Sequence, residues 1–138
     1  MNIAFLLKPK SEVVYLQDSM PLPMALNELR RSGYTSVPVI DREGNYAGAV
    51  SEGDFLRALA QTDGAHLRLT PAAEAEKKRL RDILCPDRIL SARIDEPAET
   101  LVSRTAGQNY VPIVDDRGVF IGIVTRRNVI RYFLEQRG

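Results

Sequence analysis

From Ser36 to Ser51 the chain passes through an apolar stretch, a polar turn and a second apolar stretch, and 74 positions later it does so again. Val37-Pro38-Val39-Ile40 is matched by Val111-Pro112-Ile113-Val114, and Tyr46-Ala47-Gly48-Ala49-Val50 by Phe120-Ile121-Gly122-Ile123-Val124. Asp41 and Gly44 return as Asp115 and Gly118 in the turns between. Short β-branched runs around a glycine-containing polar turn predict a hairpin each time. Upstream of the first hairpin, Val13-Val14-Tyr15-Leu16 predicts a strand. Leu22, Ala25, Leu26 and Leu29 then recur at helical spacing within Pro21–Arg31, with Ser19 placed to cap and Gly33 at the C′ position. Downstream, a helix is predicted from Glu52 to Ala60, with Phe55, Leu56 and Leu59 on one face. The second copy supplies a strand at Ile89-Leu90, a helix over Pro97–Ala106, and a final helix from Arg126 to Glu135.

Each copy reads strand, helix, strand, strand, helix. The expected fold is therefore α/β (α+β), two β-α-β-β-α repeats related by a pseudo-twofold axis. A repeat of this length is too long for a solenoid unit, and paired half-domains leave related clefts in which small molecules bind. The expected division is repeat 1 over residues 1–60, a linker and connecting helix over 61–79, and repeat 2 over 80–138. Gln61–Pro71 is polar and turn-rich, whereas Ala72–Leu84 has good helix formers that dock through Leu80, Ile83 and Leu84.

Composition narrows the function. Of 138 residues, 44% are hydrophobic and 27% charged, ordinary for a soluble globular protein, and the expected location is cytoplasmic. A net charge of +1 with scattered basic residues excludes bulk attraction to nucleic acid or an anionic membrane. No apolar run approaches the roughly 18 residues needed to cross a bilayer, and Ile3-Ala4-Phe5-Leu6-Leu7 lacks the flanks of a signal peptide. The lone Cys85 forms no internal disulfide, fits a reducing compartment and reads as a small buried residue. His66, the single histidine, falls in the polar linker as a solvated side chain. There is no Gly-rich phosphate loop, metal-ligand cluster or nucleophile–base pair, so the expectation is a protein that is not an enzyme and holds no cofactor or metal.

The two copies resemble a tandem pair of CBS (cystathionine-β-synthase) domains, a Bateman module. The matching features are the pre-helix strand, the hydrophobic-x-Pro-hydrophobic-hydrophobic-Asp strand, the Gly-x-hydrophobic-x-Gly hairpin, and the Ser/Thr-x-x-Asp/Asn helix starts Ser51–Asp54 and Thr125–Asn128. The resemblance implies a sensor that binds AMP, ATP or cyclic di-AMP between its repeats. Gly33-Tyr34-Thr35-Ser36-Val37-Pro38 with Thr125-Arg126-Arg127 is similar to the stand-alone cyclic di-AMP-binding CBS pairs of Gram-positive bacteria. That likeness implies a ligand held by the early strand, the Gly-Tyr-Thr segment and the Thr-Arg-Arg segment. It further implies a homodimer formed through the helices and a regulated protein partner such as the (p)ppGpp synthetase/hydrolase. Where some relatives place a basic residue at the start of the first strand, this chain has Glu12, with Lys8 and Lys10 nearby.

The two helix starts differ in charge. Glu52 and Asp54 suit the positive end of a helix dipole. Arg126 and Arg127 oppose it by about 0.3–1 kcal/mol each, a penalty that a bound anion would reverse. Thr125 can donate to the same phosphate, and Asp54 can accept from a ribose diol, a role Asn128 fills poorly in the second copy. Val13, Val14 and Tyr15, with Val37-Pro38 or Val111-Pro112, can wall an adenine slot, with the Thr35 hydroxyl at its rim and Tyr34 in the Gly-Tyr-Thr segment beside it in sequence. Each assignment has a plain rival: Ser51 and Thr125 are ordinary N-caps, adjacent arginines an ordinary solvated face, and Tyr15 and Tyr34 ordinary core residues. At the level of function the rivals are an AMP/ATP energy-charge sensor and a ligand-free CBS dimer scaffold.

Overall fold

The structure is a computed structural model that describes residues 2–63, 66–69 and 71–136. The first repeat gives β1 (Lys8–Pro9), β2 (Leu16–Gln17), α1 (Leu22–Ser32), β3 (Ser36–Ile40), β4 (Tyr46–Ser51) and α2 (Glu52–Leu59). There follow β5 (Ala60–Asp63), β6 (His66–Leu69) and α3 (Ala72–Lys77). The second repeat gives β7 (Ala92–Arg93), α4 (Ala98–Gly107), β8 (Tyr110–Val114), β9 (Phe120–Thr125) and α5 (Arg126–Gln136).

The chain divides into two compact units. One is Met1–Val13, Glu43–Tyr46 and Asp87–Gly138; the other is Val14–Arg42 and Ala47–Pro86. In the first unit four strands run β1-β9-β8-β7. β7 lies parallel to β8 with Ala92 opposite Ile113, β9 is antiparallel to β8, and β1 closes the edge antiparallel to β9 with Pro9 opposite Gly122. The sheet of the other unit runs β2-β3-β4, with Leu16 opposite Val39. The two cores correspond: Leu16, Leu22, Leu29, Val37, Val39, Val50 and Phe55 fill one, and Ala92, Leu101, Val111, Ile113, Val124 and Val129 the other.

What completes each core is a leader segment. In the first unit the 3-10 turn Ile3–Phe5 buries Ile3 among the second repeat's residues, and β1 follows it across β9. In the other unit the 3-10 turn Leu80–Asp82 buries Leu80 among the first repeat's residues, and Leu84 and Pro86 follow it across β4 at Gly48. The crossing explains the glycine at 122, and a φ of 143° the glycine at 48. A Cβ on Gly122 would collide with the Lys8 carbonyl, and one on Gly48 would touch Pro86 Cα at 3.4 Å.

The early strands begin later than the sequence pattern predicts, at Leu16 instead of Val13 and at Ala92 instead of Ile89, because only there does a parallel partner stand opposite. Val13 instead closes a turn onto the Lys10 carbonyl. Ser19 does not cap α1; Pro21 holds that position, and Gly33 ends the helix with φ 76° as expected. On α2, Phe55 faces the core and Leu56 faces out. The polar linker contains the antiparallel ribbon β5–β6, which satisfies backbone groups that a plain loop would leave to water. The expectation for the His66 side chain lies outside the described residues. The connecting helix stops at Lys77, because Leu22 donates to the Lys78 carbonyl, Leu80 to Met20 and Arg81 to Asp18, an extended pairing no helix can make. Cys85 is exposed, not buried: it is the outward residue of the Leu84–Pro86 crossing.

Two predictions follow from this packing. Gly122→Val should cost about 1–3 kcal/mol in chemical denaturation and expose the β1 amides to hydrogen exchange, since nothing but β1 can yield. The second concerns the turn after β8, where Asp115 accepts from the amides of Val119 and Arg117 and from the Arg117 guanidinium. The Val119 bond foremost holds the Asp115 carboxyl below its ordinary range. Its stabilisation is therefore complete above the ordinary carboxylate range and disappears as pH falls through the lowered pKa. Asp115→Asn should lower stability at neutral pH, where the carboxylate is ionised, and so flatten the acid limb of a stability–pH curve.

Candidate functional site

α5 begins where β9 delivers Thr125, and the first turn carries no acid. Thr125 Oγ1 accepts from the Asn128 amide at 3.1 Å, the N-cap bond its position predicts. Its hydroxyl hydrogen has no acceptor among the described residues. The Arg126 amide donates to the Asn109 carbonyl at 2.8 Å. The Arg126 Nε donates to the Thr105 carbonyl at 2.6 Å. That carbonyl lies in the last turn of α4, the negative end of its dipole, so the cation stabilises one helix end while opposing another. The Arg127 side chain is exposed and makes no hydrogen bond or ion pair among the described residues. Its amide, second in the helix, is one of the donors a helix start leaves without an internal acceptor.

An open cavity of about 480 Å³ is lined by Asn109, Thr125, Arg126, Arg127 and Ile130. The volume suits a nucleotide-sized ligand, and the polar groups that face it are donors of the kind that hold phosphate. Asn109 and Ile130 were missed by the sequence reading, although the offset of 74 maps Asn109 onto Thr35, which was singled out.

The other candidates fall elsewhere. Asn128 lines a different cavity of about 420 Å³, with Phe5, Leu6, Arg131, Tyr132 and Glu135. Helical rotation separates it from Arg127 although the two are adjacent in sequence. Val37 and Val111 are 1% and 0% exposed, so their side chains belong to the cores, and Pro38 and Pro112 beside them are buried. Val13 lies in the unit that holds α5; Val14, Tyr15, Tyr34, Thr35, Val37, Pro38 and Asp54 lie in the other. Tyr34 and Thr35 are exposed, not core residues, and Tyr15 is half-buried. Lys8 is in β1 opposite Ile123.

Asp54 departs most from the expected role. Its side chain is 3% exposed; it accepts from the Ser51 amide at 2.8 Å and hydroxyl at 3.2 Å, and pairs with Arg57 at 2.6 Å. This capping box fills most of the carboxylate's acceptor capacity and leaves no open face for a ribose diol. Among the described residues no group of His, Cys, Asp and Glu could hold a metal ion, and no helix is long and apolar enough to cross a membrane.

The different anchoring of the two arginines gives a direct expectation. Arg126→Ala should lower stability by about 1–3 kcal/mol, because the half-buried Thr105 carbonyl loses a charged donor. Arg127→Ala should stay within about 0.5 kcal/mol of the parent protein in urea denaturation.

The family model for the CBS domain matches residues 6–61 and again residues 80–135. Among curated proteins, the A-adding tRNA nucleotidyltransferase of Aquifex aeolicus is 31% identical over 118 residues, 84% of this chain and 12% of that protein. The L-aspartate semialdehyde sulfurtransferase of Methanocaldococcus jannaschii is 28% identical over 99 residues, 70% of this chain and 16% of that protein. The chain thus spans less than a fifth of either relative. Among solved structures, the CbpB protein of Listeria monocytogenes in complex with cyclic di-AMP superposes with a TM-score of 0.78 at 25% identity, covering 96% of this chain and 95% of that one. CBSX2 in complex with AMP superposes with a TM-score of 0.69 at 24% identity, covering 99% and 98%. Two family matches in tandem on two copies of one β-α-β-β-α unit leave a single assignment: the chain belongs to the CBS domain family and carries a pair of CBS domains.

Proposed function

We propose that this CBS pair is a nucleotide-sensing regulatory module whose ligand phosphate is held at the start of α5, and that cyclic di-AMP is the preferred ligand. The observation that carries the reading is the contrast between the two helix starts. The start of α2 is closed by the Ser51–Asp54 capping box and is acidic. That of α5 opens onto a cavity with two arginines, and Arg127 there has no partner among the described residues. An anion at α5 would gain charge-assisted hydrogen bonds and the helix dipole together.

The choice of cyclic di-AMP has two supports. Asp54 is engaged and Asn128 faces a different cavity, so neither candidate for reading a free ribose diol is available to a mononucleotide at this site. In addition, the Listeria CbpB structure at 25% identity holds cyclic di-AMP. The AMP-bound CBSX2 structure supports the rival mononucleotide reading. Val102, Ile130, Phe133 and Leu134 are exposed apolar residues of α4 and α5, which favours a homodimer formed through these helices. Ligand occupancy then reaches a protein partner through any difference in ligand affinity between the free and partner-bound states.

Calorimetric titration with cyclic di-AMP, AMP and ATP in parallel tests the proposal. Selective cyclic di-AMP binding is expected, and Arg127→Ala should weaken it by about 1.5–3 kcal/mol, tenfold or more, without loss of fold. Preference for AMP or ATP would replace the messenger reading with an energy-charge sensor. Silence from all three would leave a ligand-free scaffold.

A further inference from the structure

The 3-10 turns of the two leader segments correspond, Ile3–Phe5 to Leu80–Asp82, and each buries its first residue, Ile3 or Leu80. Their third residues differ. Asp82 turns its carboxylate back onto the Arg79 amide at 2.8 Å, whereas Phe5 sets a ring into solvent, 84% exposed. The helices that follow the hairpins differ in a related way. On α2, Asp54 pairs with Arg57 at 2.6 Å. The offset of 74 puts Asn128 and Arg131 in those places on α5, so Arg131 meets a carboxamide where Arg57 has a carboxylate. The unit of the first repeat satisfies these positions from within. In the other unit a ring and a guanidinium are left over.

Those two groups meet. Asn128, Arg131, Tyr132 and Glu135 share one face of α5, and with Phe5 and Leu6 they line the cavity of about 420 Å³. These residues all belong to one compact unit. Arg131 and Glu135 stand one turn apart, at the spacing of a helical ion pair, yet neither side chain makes an ion pair or hydrogen bond among the described residues. The cavity therefore presents a guanidinium, a carboxylate and an apolar wall made by Phe5, Leu6 and the Tyr132 ring. Arg131 suits a carboxylate or a phosphate. Glu135 in the same cavity repels a polyanion, so phosphates are disfavoured and a monoanion with a cation of its own is favoured. The apolar wall calls for an apolar body. An α-amino acid with a large apolar or aromatic side chain supplies all three.

We infer that this cavity is a second ligand site, for a free apolar or aromatic α-amino acid. Arg131 holds its carboxylate, Glu135 its ammonium, and Phe5, Leu6 and Tyr132 its side chain. The asparagine at 128 opens the site, because an aspartate there would occupy Arg131 as Asp54 occupies Arg57. None of the residues that line the cavity at Thr125, Arg126 and Arg127 takes part, so the inference stands apart from the nucleotide reading.

Amide NMR on the full chain, titrated with L-phenylalanine, tests this. So small a ligand in an open site should bind with an affinity on the order of millimolar. The amides of Phe5, Leu6, Arg131 and Tyr132 should shift. N-acetyl-L-phenylalanine and L-phenylalaninamide, each lacking one charge, should bind about tenfold more weakly or worse. Arg131→Gln and Glu135→Gln should weaken L-phenylalanine by a similar factor at an unchanged melting temperature, since both side chains are exposed. Asn128→Asp should weaken it too, by giving Arg131 an internal partner. Still amides at these positions, at about ten times the expected dissociation constant, would overturn the inference. So would equal binding of L-phenylalanine and its two one-charge analogues, or unaltered affinity in both the Arg131→Gln and the Glu135→Gln variants. Either result would leave cyclic di-AMP binding at Arg127 standing.

Discussion

At Gly122 the backbone of β9 comes so close to the Lys8 carbonyl that no side chain fits between them. This approach lets the leader segment lie flat as an edge strand, and the edge strand carries Ile3 into the core behind it. Antiparallel pairing with β1 at Gly122 and Ile123, and with β8 in regular register from Gly122 to Thr125, sets by main-chain geometry where α5 starts. In the other unit Leu84 and Pro86 cross β4 beside Gly48, and Leu80 is the buried anchor. At Gly122 a neighbouring backbone occupies the space of a side chain, whereas at Gly48 the φ of 143° is what favours glycine.

On that shared frame the two helix starts have acquired opposite electrostatics. Asp54 at the start of α2 satisfies the backbone from within, and Arg57 neutralises it. At the start of α5 the cap is the Thr125 hydroxyl alone, and the residues added are cations. One of them is integrated into the fold, since Arg126 ties the first turn of α5 to the carbonyls of Thr105 and Asn109. The other is left to solvent. A protein stabilised only by its internal contacts would gain from an acid at this position, and its absence is the physical argument for an anion supplied from outside.

Most of the architecture was legible in the sequence because it rests on local periodicity that occurs twice. The hairpins, the turn glycines, the helices α1, α4 and α5 and the Gly33 cap lie close to where the pattern places them. The pattern was weakest where a segment's partner is distant. The early strands are two residues long and exist only where a parallel neighbour stands opposite, and α3 ends early because its continuation pairs with the loop before α1. The ribbon β5–β6 has the composition of a loop and owes its form to main-chain pairing. Cys85 is outward although its neighbours pack inward, a matter of which face of a crossing each residue takes.

The candidate site divides along the same line. Sequence alone determined that the second helix start is cationic and the first acidic, and that Thr125, Arg126 and Arg127 belong together, because charge and helix register are properties of adjacent residues. The tertiary structure decided which of these groups are available. It buried Asp54 in a capping box, anchored Arg126 on α4, turned Asn128 to a separate cavity and brought Asn109 to the arginines. It also satisfied the Leu90 N–H and carbonyl with the side chain of Gln108. A side chain's type is written in the chain, but whether its hydrogen-bonding capacity is already filled depends on groups that only folding brings within reach.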